Sequence, residues 1–522
     1  MPTTAHPDPR RWKALVFIGL AQLMVVLDGT IVNVALPSVQ HDLGMTDSNR
    51  QWVITAYALA YGGLLLLGGR VADLWGRKRT FLTGLTGFAL ASTVGGSAQS
   101  ELMMFGGRAL QGVFGALLVP SALSLLAVMF TDPKERAKAF GIYGAIAGGG
   151  GAVGLILGGF LTEYFDWRWT FFVNVPIAVM AALGAYAVIR EPTGSRNRSP
   201  LDIPGVLLST LGLGTLVYGF TRTESTGWTE TTTLATFAVA TVLLLTFVLV
   251  EARVGSPLLP LRVLKERNRA GAYVSLGLAF IALFATFLFV TYYLQIVKGF
   301  TPLQTGLAFL PASGGMVIGS MQIGARLMLR TAPRLLMAPG FLLAAAGMLL
   351  LTRLTPDSSY VLLILPAQLM LGTGLGTALM PGISLATHQV EPRHAGVASA
   401  MVTTSQQVGG AVGTTLLNSI AAAATAAYLT AHTAGSGGAR HLQEQALVHG
   451  YTRAFRWAAA ALVVSALITT VCVTTMGRAR GRHRRTRHRP DHDHRPRHRK
   501  GDPTAPAPPQ DPVRVPQYAR EE

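Results

Sequence analysis

Charged residues and cysteine are scarce in this sequence, and each scarcity excludes a class of protein. Only 13% of the 522 residues are charged, whereas a soluble domain carries about 25%. The single cysteine, Cys472, excludes an internal disulfide and any site built from a cysteine pair. No Gly-Lys dipeptide occurs, so the chain has no phosphate-binding loop for ATP. No nucleophile and base stand in a recognisable catalytic context, and we therefore expect neither an enzyme nor a cofactor.

Apolar residues make up half of the chain, and they are grouped in runs long enough to cross a bilayer. A spanning helix needs about 20 predominantly apolar residues. Fourteen runs meet this requirement, so the sequence predicts an all-α, multi-pass membrane protein. The predicted spans are 13–36, 51–69, 80–99, 102–128, 139–161, 169–189, 203–221, 231–251, 271–293, 303–324, 335–352, 360–382, 395–420 and 454–476.

The distribution of Lys and Arg among the loops predicts the orientation. With the N-terminus in the cytoplasm, the inner loops up to residue 476 hold 22 Lys and Arg, and the outer loops and helix ends hold 8. Inner loops of membrane proteins carry the excess of positive charge. This ratio predicts a protein of the cytoplasmic membrane with both termini in the cytoplasm. The net charge of +19 is explained mostly by this topology, and we expect no binding of nucleic acid.

Internal repetition predicts five regions. The basic loop at 324–334 occupies the same place in a second six-helix set as the loop at 69–79 in the first, and Gly409–Gly413 echoes the glycine run of helix 5. Transporters built from such repeats bind substrate between the two halves. The predicted regions are a cytoplasmic N-terminus (1–12), a six-helix bundle (13–200), an inserted helix pair (201–252), a second six-helix bundle (253–476) and a disordered basic tail (477–522).

The predicted tail is rich in Arg, His and Pro. It is interpreted as a solvated segment that helps to fix the topology. Adhesion to anionic lipid headgroups and weak metal binding by its histidines are the alternatives.

Several motifs carry a resemblance to a known family. The chain resembles the major facilitator superfamily over about residues 13–476, and within it the fourteen-helix drug:proton antiporters of the EmrB/QacA type. The resemblance implies a 6+2+6 arrangement of helices in two pseudo-symmetric bundles, alternating access and coupling to protons. The motifs are LDGTIVNVALP at 27–37, GRVADLWGRKR at 69–79, RALQG at 108–112, GGAVGLILGG at 150–159 and WRWTFFVNVP at 167–176.

Two charged residues lie inside predicted spans and are the candidates for proton coupling. Asp28 is the only carboxylate deep within a span, where a charge costs about 2.5–3.5 kcal/mol. Desolvation raises the pKa of a carboxyl group toward neutrality, so that it can load and release protons. Arg108 in helix 4 bears the same cost and could pair with the carboxylate. The alternative is a static bond or a purely structural ion pair.

Glycines mark helix 5 as a packing surface. Gly150, Gly154, Gly158 and Gly159 allow close approach of a neighbouring helix in lipid, and the resemblance implies that this helix lies between the two halves and prevents leak. Leu155 departs from the family pattern, which usually has proline there, and this puts the expected kink in question. Ordinary tight packing is the alternative.

The loop between helices 2 and 3 is the candidate gate. Gly69 and Gly76 permit a tight turn, while Asp73 can pair with Arg77 or cap a helix N-terminus across the interface between the halves. Such a cluster would hold the cytoplasmic side closed until the halves rock. Arg77 and Lys78 also suit a simple topological anchor.

A substrate cavity is the least determined feature. Polar and aromatic residues on the expected cavity helices could line an amphipathic pocket, although each could equally be a packing or interfacial residue. The candidates are Asn33, Trp52, Tyr57, Gln111, Tyr292, Gln295 and Gln406.

These features together predict a proton-driven exporter of a lipophilic drug or antibiotic, acting as a monomer in the bilayer. The alternatives are an exporter of a dedicated metabolite, such as a siderophore or lipid, and a membrane receptor or scaffold without transport. We expect no metal site.

Overall fold

The computed structural model describes a bundle of long helices that pack against one another. The described residues are 10–45, 49, 52–190, 202–255, 257–259, 262–328, 330–388, 390–391, 394–432 and 438–473. The predicted tail and most of the predicted N-terminal segment lie outside these residues.

The first half contains six helices, which we label α1 to α6. Helix α6 is interrupted at Val173, between Trp169–Phe172 and Asn174–Val188. The bounds are α1 Arg11–Asp42, α2 Trp52–Trp75, α3 Arg77–Gly96, α4 Glu101–Met129, α5 Pro133–Tyr164 and α6 Trp169–Val188.

Eight further long helices follow in the described part of the chain, along with a four-residue helix at Arg262–Lys265. Three of them contain π-helical turns, at Tyr293–Val297 after α9, at Ile318–Gly324 within α10, and at Tyr360–Ile364 at the start of α12. The bounds are α7 Ile203–Thr226, α8 Thr231–Glu251, α9 Arg267–Tyr292, α10 Leu303–Leu327, α11 Arg334–Leu351, α12 Tyr360–Ala386, α13 Ala395–Ala431 and α14 Gly438–Cys472.

Thirteen of these helices, within the described part of the chain, are long and apolar enough to cross a membrane. The remaining one is α3, which begins with three basic residues and contains several Gly and Thr. Its Phe81 and Phe88 are fully buried, and it packs along α4 and α6. Helix α3 therefore completes the predicted set of fourteen, with one face packed on the first half and Leu90 exposed on the other.

Short sequence signals set where helices begin. Asp132 accepts hydrogen bonds from the backbone N–H groups of Lys134 and Glu135, and Pro133 occupies the first position of α5. Ser100 caps α4, and Thr301 forms a capping box with Gln304 at α10. Such caps satisfy N–H groups that lack a partner within the helix.

The two halves repeat the same packing. Helix α1 packs on α5 and α6, as α9 packs on α13 and α14; α4 packs on α2 and α3, as α12 packs on α10 and α11. Between the halves, α2 packs on α13 and α5 packs on α10, which is again a symmetric pair of contacts. The division at residues 200 and 252 stays a prediction.

Helices α7 and α8 lie outside both six-helix sets. Helix α7 packs on α2 and on α13, so it covers one of the two seams between the halves. At the α7–α8 connection, the indole nitrogen of Trp228 donates to the hydroxyl of Ser419 in α13, at 2.6 Å. The outer face of α8 exposes large apolar side chains, among them Val242, Leu245 and Leu249, as expected of a surface that faces lipid.

Candidate functional site

Asp28 lies at the centre of a buried polar cluster within the first half. Its Oδ2 accepts a hydrogen bond from Arg108 Nη1 at 2.8 Å, and its Oδ1 accepts from Gln111 Nε2 at 2.8 Å and Asn174 Nδ2 at 2.9 Å. Gln111 also donates to the hydroxyl of Ser92 at 2.8 Å. Asp28 and Gln111 are completely buried, and Arg108 nearly so. Helices α1, α3, α4 and α6 thus converge on one carboxylate.

The guanidinium of Arg108 is held from three further directions. Its Nε donates to the carbonyl of Val53 at 3.0 Å, and its Nη1 also donates to Gln111 Oε1 at 2.8 Å. Its Cζ lies 4.4 Å from the ring centroid of Tyr57, a cation–π distance. A glycine makes this convergence possible: a Cβ at Gly112 would lie 2.5 Å from the carbonyl oxygen of Tyr57, so α4 and α2 meet in backbone contact.

One atom of the cluster has no partner. Asn174 Oδ1 is buried and accepts no hydrogen bond from the described residues. The donors around Asp28 satisfy its ionised form, and an unused acceptor stands beside it. The cluster therefore suits the ionised carboxylate, and Asn174 Oδ1 is an acceptor within it that no described residue uses.

The sequence suggested some members of this cluster and missed others. Arg108 and Gln111 are three residues apart, on one face of a helix. Asn174 was visible only as an amide in the apolar stretch that enters α6, and Ser92 had no signal at all. Gln111, predicted for the substrate cavity, is placed by the structure inside the buried cluster.

The predicted gate residues meet the second half of the chain. Asp73 Oδ1 accepts from the backbone N–H of Gly396 at 2.9 Å, and Oδ2 accepts from that of Val397 at 3.2 Å. These N–H groups belong to the first turn of α13, so Asp73 caps a helix of the other half. Arg77 donates to Asp73 at 3.2 Å and to the hydroxyl of Ser124 at 2.8 Å. Both contacts foreseen for Asp73 are present.

The two glycines of the loop are required for different reasons. A Cβ at Gly69 would lie 2.5 Å from the carbonyl oxygen of Gly396, so only glycine allows this contact between α2 and α13. Gly76 has φ of 109°, which L side chains rarely adopt. Lys78 points elsewhere: its Nζ donates to the carbonyl of Tyr186 in α6 at 2.8 Å, within its own half.

A second contact between the halves at the same end was not foreseen. Arg136 in α5 donates to the Oγ1 of Thr387 at 2.7 Å and to the carbonyl of Ser384 at 3.3 Å. Both partners lie in or just after the last turn of α12. A cation at a helix C-terminus is favourable because the last carbonyl groups carry partial negative charge.

The glycines of α5 allow close contact with two neighbouring helices. Gly150, Gly154 and Gly158 face α1, where Cβ atoms would approach Val26, Thr30 and Ile31 respectively. Gly159 faces Leu303 of α10, in the other half. Helix α5 is continuous from Pro133 to Tyr164, through Leu155.

The remaining cavity candidates are dispersed. Trp52 is exposed, and its ring lies 6.3 Å from that of Tyr218 in α7. Tyr292 is exposed at the end of α9, Gln295 lies half-buried in the following π-helical turn, and Gln406 is half-buried on α13. The side chain of Asn33 is outside the described residues. The structure brings only Tyr57 and Gln111 of this set to Asp28.

A family model described as the Major Facilitator Superfamily matches residues 18–414 of this sequence. The chain belongs to that superfamily. It is therefore built as a membrane transporter and not as an enzyme.

Among its relatives in this superfamily are three named for antibiotics. The chain is 52% identical to the puromycin resistance protein pur8 of Streptomyces alboniger, over 90% of this chain and 92% of that one. It is 37% identical to the cephamycin export protein CmcT of Amycolatopsis lactamdurans, over 79% and 85%, and 32% identical to the tetracenomycin C resistance and export protein of Streptomyces glaucescens, over 80% and 79%.

Among solved structures, the human organic anion transporter MFSD10 (TETRAN) matches with a TM-score of 0.61 at 15% identity. The match covers 88% of this chain and all of that one. At this identity the likeness supports the superfamily fold alone.

Proposed function

We propose that this protein exports a lipophilic antibiotic, such as puromycin or a related compound, in exchange for protons entering the cell. The observation that carries the coupling is the buried pair of Asp28 and Arg108, with an unused acceptor on Asn174 beside it. The relatives named for resistance or export support the choice of substrate class.

The proton step follows from the geometry of the cluster. An ionised Asp28 in a dry environment is stabilised by Arg108, Gln111 and Asn174 together. Protonation removes the attraction between Asp28 and Arg108 and supplies an O–H, for which Asn174 Oδ1 is an available acceptor. Because Asp28 lies on α1, Arg108 on α4 and Asn174 on α6, the same proton changes the forces between three helices. This is the means by which proton binding would favour one arrangement of the halves.

The energy supply is sufficient for such an exchange. One charge moved through 100 mV of membrane potential provides about 2.3 kcal/mol, which corresponds to a concentration ratio of about fifty. The contacts of Asp73 and Arg136 with the second half would close one end of the path while the other is accessible.

The test is export measured with matched variants. Cells that express the wild-type protein should tolerate puromycin, and everted vesicles should release protons when the drug is added. Asp28→Asn should lose both responses, whereas Asp166→Asn, which changes an exposed carboxylate, should keep them. Normal proton release by Asp28→Asn would refute the coupling, and resistance to none of puromycin, cephamycin and tetracenomycin C would favour a dedicated metabolite as substrate.

The orientation is part of the same proposal. We place both termini in the cytoplasm, so that Asp73 and Arg136 lie at the cytoplasmic end and the α7–α8 connection lies outside. In a Cys472→Ser background, an impermeant thiol reagent added to whole cells should label Gln99→Cys but not Thr131→Cys, because both positions are exposed at opposite ends of α4. The reverse labelling pattern would invert the topology.

A further inference from the structure

Two carboxyl groups meet where the α7–α8 pair joins the rest of the protein. Asp202 immediately precedes α7, and Glu251 is the last residue of α8. Their residues are only 5% and 3% exposed. One oxygen of each is engaged by the backbone: Asp202 Oδ1 accepts from Gly205 N–H at 3.0 Å, and Glu251 Oε2 accepts from Leu259 N–H at 3.0 Å.

The other two oxygens face each other without a donor. Asp202 Oδ2 and Glu251 Oε1 are buried and have no hydrogen-bond partner among the described residues. Each lies 2.5 Å from the position that a Cβ of Gly205 would occupy, so both border the same small space. Two ionised carboxylates at such close range in a dry site repel strongly.

One shared proton would give both oxygens a hydrogen bond and would remove the repulsion between two ionised carboxylates. If one carboxyl group is neutral, its O–H can donate to the free oxygen of the other, which satisfies both atoms and removes one of the two like charges. We propose that Asp202 and Glu251 form a second proton-binding site, separate from Asp28, in which the two groups share one proton at neutral pH.

Arg70, a buried cation, could stabilise the form of the site in which both carboxyl groups are ionised. Arg70 on α2 is 1% exposed, and its Nε and Nη1 have no hydrogen-bond partner in the described part of the chain. Its charge interacts with Asp73, Glu251 and Asp202. When the shared proton leaves, Arg70 is positioned to neutralise the pair. Because Arg70 lies one helical turn from Asp73, which caps α13, the protonation state of the α7–α8 pair would be transmitted to the contact between the halves.

This site and the proposed role of Asp28 can fail independently. Proton sharing by Asp202 and Glu251 is a property of the resting protein and is detected without substrate or transport. Loss of export in Asp28→Asn tests the other proposal and leaves this carboxyl pair intact.

The experiment is infrared spectroscopy of the full-length protein in lipid nanodiscs at neutral pH. A protonated carboxyl group gives a C=O stretching band distinct from that of a carboxylate, and the band shifts in D₂O. We expect this band in the wild type and in Asp28→Asn. In the Asp28→Asn background, which removes the other proposed proton site, we expect Glu251→Gln and Asp202→Asn each to remove the band. Glu230→Gln, at the exposed opposite end of α8, should leave it unchanged.

One variant tests the geometry while keeping every ionisable group. In Gly205→Ala the new methyl group would press on both free oxygens and force them apart, so the band should weaken or disappear. Absence of the band from Asp28→Asn, or its persistence when Glu251→Gln and Asp202→Asn are each made in the Asp28→Asn background, would overturn the proposal. The spectrum of Asp28→Asn alone gives the first of these outcomes even if a variant of the pair does not fold.

Discussion

The two halves of this protein share a packing plan but differ in where they place charge. Among the described residues, every charged residue that is buried lies in the first half or in the α7–α8 pair: Asp28, Arg70, Asp73, Arg77, Arg108, Arg136, Asp202 and Glu251. The second half, α9 to α14, buries no charged side chain in its described part. The second half has π-helical turns in its backbone, directly after α9, within α10 and at the start of α12.

The difference shows how the halves are held together at one end. Asp73 of the first half binds the N-terminus of α13, and Arg136 binds the C-terminus of α12. In each case one half supplies a formal charge and the other supplies the partial charges of a helix end, with the sign that the helix dipole favours. Such contacts need no charged side chain in the second half.

What the halves retain in common is their glycine packing. The pentapeptide GGAVG occurs at Gly150–Gly154 and again at Gly409–Gly413. A Cβ at Gly154 would contact Leu27 and Thr30 of α1, and a Cβ at Gly413 would contact Ile281 of α9. The duplicated helices thus keep the close approach, while buried charged side chains, in the described part of the chain, are found only in the first half and the α7–α8 pair.

The largest effect is expected from removing the cation of the buried pair. Arg108→Ala leaves Asp28 charged and buried without its counter-ion, and breaking such a pair costs about 3–5 kcal/mol. We expect a strongly reduced free energy of unfolding in detergent and no proton-linked export. Arg330→Ala, an exposed arginine of the second half, should change the free energy of unfolding by less than about 0.5 kcal/mol. Equal stability of the two variants would contradict the view that the buried charges of the first half contribute to its stability.

A smaller but still large effect is expected at the contact between the halves. Asp73→Ala removes the cap of α13, which is worth about 0.5–2 kcal/mol, and leaves Arg77 without its carboxylate. The end of the bundle should open, so that Val397→Cys, at a buried position, reacts faster with a permeant maleimide in the Cys472→Ser background. Asp73→Asn keeps one acceptor oxygen and should open less. Unchanged reactivity in Asp73→Ala would show that this contact does not close the path.

A matched pair of glutamines sharpens the comparison between the halves. Gln111→Leu removes hydrogen bonds to Asp28, Arg108 and Ser92 and should lower the free energy of unfolding by about 1–3 kcal/mol. Gln368 in α12 is also fully buried, but its Oε1 and Nε2 have no partner among the described residues. Gln368→Leu should therefore be neutral or stabilising. Destabilisation by Gln368→Leu would indicate that the second half contains a polar interaction of its own.

The smallest effect is expected at the C-terminal end of α1. The indole of Trp167 and the guanidinium of Arg168 lower the pKa of Asp42 below its ordinary value of 3.8. A group with a lowered pKa stabilises the folded state above its unfolded pKa, and the contribution is lost as pH falls through the folded value. The wild type should therefore be slightly more stable than Asp42→Asn at neutral pH by a constant amount, and this advantage should shrink as the pH falls below 3.8. A difference at pH 7 that grows with alkalinity would contradict this sign.

Much of the fold could be predicted because lipid imposes length and composition on each span. The helix ends agree within a few residues for most spans, since caps such as Asp132 and the loop charges stand directly in the sequence. Helix α14 is the main exception: it was predicted from residue 454 and begins at Gly438, because residues 438–453 are polar and carry no hydropathy signal.

The site was less accessible to sequence reasoning. Asp28 and Arg108 stand out because each is a charge in an apolar run. Asn174 and Ser92 do not, since their importance depends on which helices are neighbours at the same depth. The Asp202–Glu251 pair was missed because both groups lie at the margins of predicted spans, where carboxylates are ordinary.

The length of the last two helices has a practical consequence. Helices α13 and α14 contain 37 and 35 residues, which is about 55 and 50 Å at 1.5 Å per residue, against a hydrocarbon layer of about 30 Å. Both helices are therefore longer than the hydrocarbon layer, and near the end of α13 the ring of Tyr428 contacts that of His449 in α14 at 5.1 Å. The paired ends of α13 and α14 thus offer a helical site for attaching an antibody fragment or a fluorescent probe.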